Sequence, residues 1–88
     1  MTHTLKCWPQ YFQAIVGGTQ PYALQRENTH HFSRGDTLVL QEYDPQSHTF
    51  TGCTYSCEII GEPLRDPTWL QPGVAVLSIR ELHHSRPR

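Results

Sequence analysis

The sequence lacks several features that would assign it at once to a familiar class. None of its 88 residues belongs to an apolar run that approaches the roughly 20 residues needed for a membrane-spanning helix. Its start, MTHTLKCWPQ, lacks the apolar stretch of a signal peptide. Lys6 is its single lysine, and seven lysines and arginines face eight aspartates and glutamates, a formal net charge of −1. The strong positive charge of a general nucleic-acid binder is therefore missing. These absences predict a cytoplasmic protein, not inserted in a membrane, whose anion sites are local.

Metal-binding and disulfide patterns are also missing. Three cysteines, an odd number, do not make a disulfide framework, and without a secretion signal we expect them to stay reduced. Cys53 and Cys57 would lie about 13 Å apart on a strand, too far to share a zinc ion. The adjacent histidine pairs at 30–31 and 83–84 do not have a standard ligand spacing, and no glycine-rich phosphate loop occurs. We predict no metal and no cofactor.

The composition of the sequence, with 36% hydrophobic and 17% charged residues, is typical of one small globular domain. Residues 3–7 alternate between apolar and polar, with Leu5 facing inward and Lys6 outward, which predicts a short strand. Proline at position 9, followed by apolar residues at 11, 12, 15 and 16, predicts a helix that ends at the glycines 17–18.

Further along the chain, the alternation and turn residues predict four more strands. They are expected at about 22–25, 37–43, 49–60 and 74–82, with a hairpin loop at 44–48 and a proline-rich loop at 61–73 that holds a short turn of helix. Residues 1–82 are thus interpreted as one domain, and residues 83–88 as a flexible C-terminal tail.

Four short motifs occur in order along this pattern: LKCWPQYF at 5–12, FSRGD at 32–36, EYDP at 42–45 and FTG at 50–52. The chain resembles a small bacterial and phage group within the ASCH domain superfamily, which has the PUA-like fold, over nearly its whole length. The resemblance implies an α+β, mainly β domain: a partly open β-barrel of about five strands with one short helix after the first. It also implies a cleft that binds RNA or a nucleotide.

One segment departs from that family. ASCH domains typically carry Gly-x-Lys-x-x-Glu-x-Arg after the helix, whereas residues 18–26 read GTQPYALQR, without the lysine and the glutamate. Arg26 supplies the arginine only if the register shifts by one residue. Some relatives resemble an amidohydrolase of acetylated cytidine that uses this lysine with a threonine and a glutamate. With Thr19, Gln20 and Ala23 in those places, the acid and base of such a hydrolysis are not visible, and we expect no catalysis by that route.

The candidate ligand-binding residues are six side chains expected around the cleft between the helix start and the barrel. Lys6 is expected to contact phosphate, Trp8 and Tyr11 to stack on bases, and Arg26, Asn28 and Glu42 to read polar edges. Each has a structural alternative. The two aromatic residues could belong to the core, and Lys6 and Arg26 could be solvated. Glu42 could point inward and pair with Lys6 or Arg26 in the cleft, or it could be merely an exposed residue near the end of its strand.

The function that these residues favour is a non-catalytic, monomeric module that binds single-stranded RNA or a nucleotide. A second hypothesis is a small amidohydrolase of acylated nucleosides with a site rebuilt around Lys6, Glu42 and Thr19. A third is a phage-type protein-interaction module, which the near-neutral charge suits equally well.

Overall fold

The computed structural model describes residues 1–27 and 30–85. Within them the chain forms five strands and one helix. In chain order these are β1 (Thr2–Cys7), α1 (Pro9–Val16), β2 (Tyr22–Arg26), β3 (Thr37–Asp44), β4 (Thr49–Ile59) and β5 (Val74–Ser85). The expected architecture, a mainly β, partly open barrel of five strands with a short helix after the first, is confirmed.

The strands form one curled sheet in the order β1-β3-β4-β5-β2. β1 runs parallel to β3, and all other neighbours are antiparallel. β5 causes much of the curl, because residues 74–78 pair with β2 whereas residues 79–85 pair with β4. The two edges of the sheet are therefore β1 and β2, and the half-barrel stays open between them.

The helix α1 closes one side of the half-barrel because its apolar side chains are spaced so that they lie on one face. Pro9 occupies its first turn, and Phe12 and Ile15 are buried on the face that packs toward the sheet. At its end Gly18 adopts a positive φ of 83° and donates its N–H to Ile15 O over 3.2 Å. This left-handed residue ends the helix where the glycine pair predicted.

The core fills the concave side of the sheet. Alternation along β4 predicted its inward side chains, and Tyr55, Cys57 and Ile59 are buried as expected, with Cys53 partly buried beside them. The largest fully buried side chains come from four separate parts of the chain: Phe32, Leu38, Leu40, Cys57, Ile59 and Leu77. A single core of this size supports one domain.

One expectation about an irregular segment needs correction. The strand β5 continues to Ser85, three residues into the predicted tail, because its second half pairs with β4. Near Trp69, the short turn of helix expected in the proline-rich loop is present as a single turn in which Leu70 N donates to Asp66 O over 2.9 Å. Within the described residues no helix is long and apolar enough to cross a membrane.

Candidate functional site

The opening between the two edge strands is a groove of about 890 Å³, called here the seam groove. Its walls are residues 5–7 of β1, residues 22–26 of β2, and the start of α1, with His30 at one side. Four of the six candidate residues line it: Lys6, Trp8, Tyr11 and Arg26. The structure thus brings together one lysine, one arginine and two aromatic side chains around a single open space.

The two aromatic residues reach the seam groove because of their positions on α1. Trp8 is the N-cap residue, in extended conformation immediately before Pro9, and Tyr11 lies almost one turn further on. Their exposed fractions are 39% and 54%, so neither is a core residue. The buried aromatic residue of this helix is Phe12, as its spacing with Ile15 predicted. Exposed aromatic faces of this kind can stack on planar ligands.

Tyr43, near the end of β3, holds the lysine and the indole in place. The Nζ atom of Lys6 lies 4.5 Å from the centre of the Tyr43 ring, and the Trp8 ring lies 5.5 Å from the same ring. Phe50 contacts the far side of this group with a centroid distance of 5.0 Å to Tyr43. Such cation–π and ring contacts reduce the freedom of Lys6 and Trp8 before any ligand arrives. The EYDP motif contains Tyr43, but strand periodicity alone did not single it out.

Glu42 lies elsewhere, which corrects one expectation. It points inward as its alternation on β3 allowed, and it is buried. Its carboxylate accepts hydrogen bonds from Thr51 Oγ1 at 2.7 Å and Gln13 Nε2 at 3.3 Å, and it pairs with neither Lys6 nor Arg26. The irregular register of β4 at Gly52, where φ is 93°, brings the Thr51 hydroxyl to this carboxylate.

The two remaining candidates are Asn28 and Arg26, and only Arg26 lies among the described residues. Asn28 lies outside the described residues. Arg26 lines the seam groove and also a second hollow of about 370 Å³, on whose far side the exposed Trp69 lies. Arg26 thus lies on the edge strand β2, at the boundary between two surface depressions. Its side chain is exposed. An exposed guanidinium in this position can contact an anionic group.

Cys7 also lines the seam groove, and its chemistry argues against a thiol enzyme. Burial and then the Glu42 carboxylate raise the pKa of the Cys7 thiol to about 11, which leaves almost no reactive thiolate at neutral pH. Across residues 1–27 and 30–85, no three His, Cys, Asp or Glu side chains are grouped so that they could hold a metal ion.

A polar cluster behind the seam groove was missed by the sequence analysis. His3, only 2% exposed, bonds Asp36 Oδ2 through Nε2 at 2.9 Å and His30 Nδ1 through Nδ1 at 3.0 Å. The hydrogen bond from His3, then those from the N-terminal ammonium and Ser33 N, hold the pKa of the Asp36 carboxyl below its usual value. The sequence did contain a sign of this cluster, because a histidine on the inward face of a strand requires a partner.

A second polar contact joins Glu27, the residue after β2, to Arg65 and Phe32. The Arg65 guanidinium donates two hydrogen bonds to the Glu27 carboxylate, and a third to Phe32 O. Glu27 also accepts the N–H of Phe32 at 3.0 Å. The Arg65 hydrogen bond is the main cause that lowers the pKa of Glu27 to about 2. This clamp holds Glu27 and Phe32 together, and the Phe32 ring stacks on His30.

Together, fold and groove define a small, mainly β domain whose open edge carries exposed aromatic and cationic side chains. The chain belongs to the family described as a domain of unknown function, DUF3850, whose sequence model matches residues 2–79. The match includes every residue of the seam groove and the polar cluster behind it. No curated protein matches the chain.

Proposed function

We propose that this domain is a non-catalytic module of the ASCH type that binds single-stranded RNA, or a nucleotide, in the seam groove. The observation that carries the proposal is the placement of Lys6, Trp8, Tyr11 and Arg26 around one open space. Two exposed aromatic rings provide stacking surfaces that accept any base, and the two cations can contact phosphates.

The charge of the chain sets the expected strength and salt dependence. With a net charge of −1, the protein as a whole does not attract a polyanion, so binding depends on the local cations. Two phosphate contacts on a single strand give a slope of about −1.4 for the logarithm of the association constant against the logarithm of salt concentration. A much steeper slope would place the ligand on some other surface.

The experiment is a fluorescence anisotropy titration with a labelled ten-nucleotide oligouridylate at low salt. Replacing Trp8 by alanine removes one stacking surface, which is worth about 1 to 3 kcal/mol, or roughly 5- to 150-fold in affinity. Lys6→Ala should weaken binding further and reduce the salt slope by about 0.7. Circular dichroism of each variant checks that the fold is kept.

Two matched controls remove the same residue types outside the seam groove. Trp69→Ala deletes an exposed tryptophan, and Arg80→Ala deletes an exposed cation on β5. Both should bind the oligonucleotide as the unaltered protein does. The proposal fails if no saturable binding occurs, or if the Lys6→Ala, Trp8→Ala double variant binds as well as the two controls.

The geometry does not favour the hydrolase hypothesis. Thr19 donates its hydroxyl to Ala14 O at the end of α1, and the Glu42 carboxylate is occupied by Gln13 and Thr51. Neither side chain lines the seam groove with Lys6. Incubation with acetylated cytidine should therefore yield no product above the uncatalysed background, as measured by chromatography.

The protein-interaction hypothesis has one observation in its favour, the second hollow. Leu24 and Trp69 line it and are 55% and 80% exposed. Exposed apolar side chains next to each other are common at protein interfaces. Trp69→Ala separates the two functions, since it should affect a protein partner captured after nuclease treatment but leave the oligonucleotide titration unchanged.

A further inference from the structure

Three side chains from separate parts of the chain form a hydrogen-bonded line that leads to the seam groove. Asp36 precedes β3, His3 lies on the inward face of β1, and His30 lies between β2 and β3. Their contacts are 2.9 Å from Asp36 Oδ2 to His3 Nε2 and 3.0 Å between the two Nδ1 atoms of the histidines. His30 is the member that lines the seam groove.

The direction of the hydrogen bonds determines where protons lie when both rings are neutral. An ionised carboxylate only accepts, so His3 Nε2 must carry its hydrogen and His3 Nδ1 must be the acceptor. His30 Nδ1 then donates to His3, and His30 Nε2 is left without a hydrogen. Among residues 1–27 and 30–85, the structure gives this Nε2 atom no hydrogen-bond partner. It is the one ring nitrogen of the line that can take up a proton from the groove.

The Asp36 carboxylate favours proton uptake at this position, whereas two other neighbours oppose it. Once Nε2 is protonated, the positive charge is shared along the line toward the Asp36 carboxylate. Phe32 packs against both rings, with centroid distances of 4.8 Å to His3 and 5.6 Å to His30, and this apolar contact disfavours a charged ring. The ammonium of Met1, 3.2 Å from Asp36 Oδ1, partly offsets the carboxylate. His31 faces away, toward Glu27.

The empty groove opposes that uptake, because Lys6 and Arg26 also line it. A third positive charge is repelled by the first two until an anion enters. A neutral His30 presents a lone pair that repels a phosphate oxygen, whereas a protonated His30 donates a hydrogen bond to it. Anion binding and proton uptake at His30 therefore assist each other.

We propose that His30 is a proton-linked phosphodiester contact in the seam groove, held in one orientation by His3 and Asp36. The inference rests on the proposed function, since it places a phosphate of the same ligand beside Lys6 and Arg26. His30 is a third phosphate-binding residue, and it donates a hydrogen bond to the phosphate through Nε2 only when its ring is protonated.

The experiment repeats the oligouridylate titration from about pH 7.5 to about pH 5.5, with an oligonucleotide that carries no terminal phosphate. Its diester groups keep a constant charge in this range, so the protein alone titrates. Affinity should rise about five- to tenfold on acidification, and His30→Gln should remove the rise. His31→Gln is the matched control, and it should keep the rise because this exposed neighbour does not line the groove. A rise that persists in His30→Gln, or no rise at all, overturns the inference.

A second measurement separates this inference from the proposed function. Nitrogen NMR of the ring atoms should show His3 protonated at Nε2 and His30 at Nδ1 in the neutral protein. Sulfate, a dianion throughout this range, should perturb the His30 ring at about pH 5.5 and not at about pH 7.5, relative to chloride of equal ionic strength. If the oligonucleotide does not bind but sulfate acts in this way, the proposed function fails and the proton-linked site remains. If sulfate leaves His30 unperturbed at both values, the site itself is refuted.

Discussion

Two regions of the half-barrel differ in what their side chains do. The closed wall, made by β3, β4 and β5, occupies the interior positions of the strand order and turns buried apolar side chains inward. The seam groove lies between strands that lack a partner on one side, and its aromatic and cationic residues are exposed. The wall can be explained by stability alone. The exposed tryptophan, tyrosine and lysine of the groove contribute little to the core, which is why we propose a role in ligand binding for them.

The largest loss of stability should follow from truncation of a buried side chain in the closed wall. Leu38 on β3 is fully buried, so Leu38→Ala leaves a cavity and should lower the free energy of unfolding by about 2 to 5 kcal/mol. Urea denaturation followed by circular dichroism measures this loss. A change below about 1 kcal/mol would show that the wall is not the core of the domain.

The Glu27 clamp, which joins the end of β2 to the 61–73 loop, should have the next largest effect. Glu27→Gln removes the charge that Arg65 contacts, and should cost about 1 to 3 kcal/mol at neutral pH. Because the pKa of Glu27 is lowered from 4.5 to about 2, its contribution is complete above about pH 4.5 and is lost as pH falls toward about 2.

The stability difference between the unaltered protein and Glu27→Gln should therefore shrink between pH 5 and pH 3. Urea midpoints at several pH values test this, and Asp36 titrates in both proteins, so the difference isolates Glu27. A difference that stays constant over this range would contradict the assignment of the ion pair.

A smaller effect is expected at the end of α1. Gly18 has a φ of 83°, which an alanine adopts only with strain, and Gly18→Ala should cost about 1 kcal/mol. Gly61→Ala is the matched control, because its φ is not in the left-handed region and an added Cβ meets open space. Thermal unfolding of both variants measures the contrast, and equal melting temperatures would argue against this helix end.

The smallest effect on stability should come from the groove itself. Tyr11 is 54% exposed, and Tyr11→Ala should change the free energy of unfolding by less than about 0.5 kcal/mol while it weakens oligonucleotide binding. Stability and affinity measured on one preparation give the comparison. A loss of stability without a loss of affinity would make Tyr11 part of the core.

Much of the fold could be predicted from the sequence because the relevant information is local. Alternation along β4 identified Tyr55 and Cys57 as inward residues, and the glycine pair set the end of α1. The extent of β5 could not be predicted, because residues 83–85 are ordered by pairing with β4 rather than by their own composition.

The site was predictable where it depends on neighbouring residues and not where it depends on distant ones. Lys6 and Trp8 were predicted to lie beside one groove because a strand passes directly into a helix there, and the structure places both along it. The partners of Glu42 depend on the bulge at Gly52, and those of His3 lie 27 and 33 residues away in the sequence. Pairing at such separations follows from tertiary structure, which periodicity does not report.

The double role of β5 has a consequence for the order of events during synthesis of the chain. Tyr22 and Arg26, at the two ends of β2, pair with Ser78 and Val74, about 50 residues later. As the ribosome releases the chain from its amino end, β2 has no strand to join until that late segment emerges. One wall of the seam groove is therefore missing from every nascent chain that ends before residue 74.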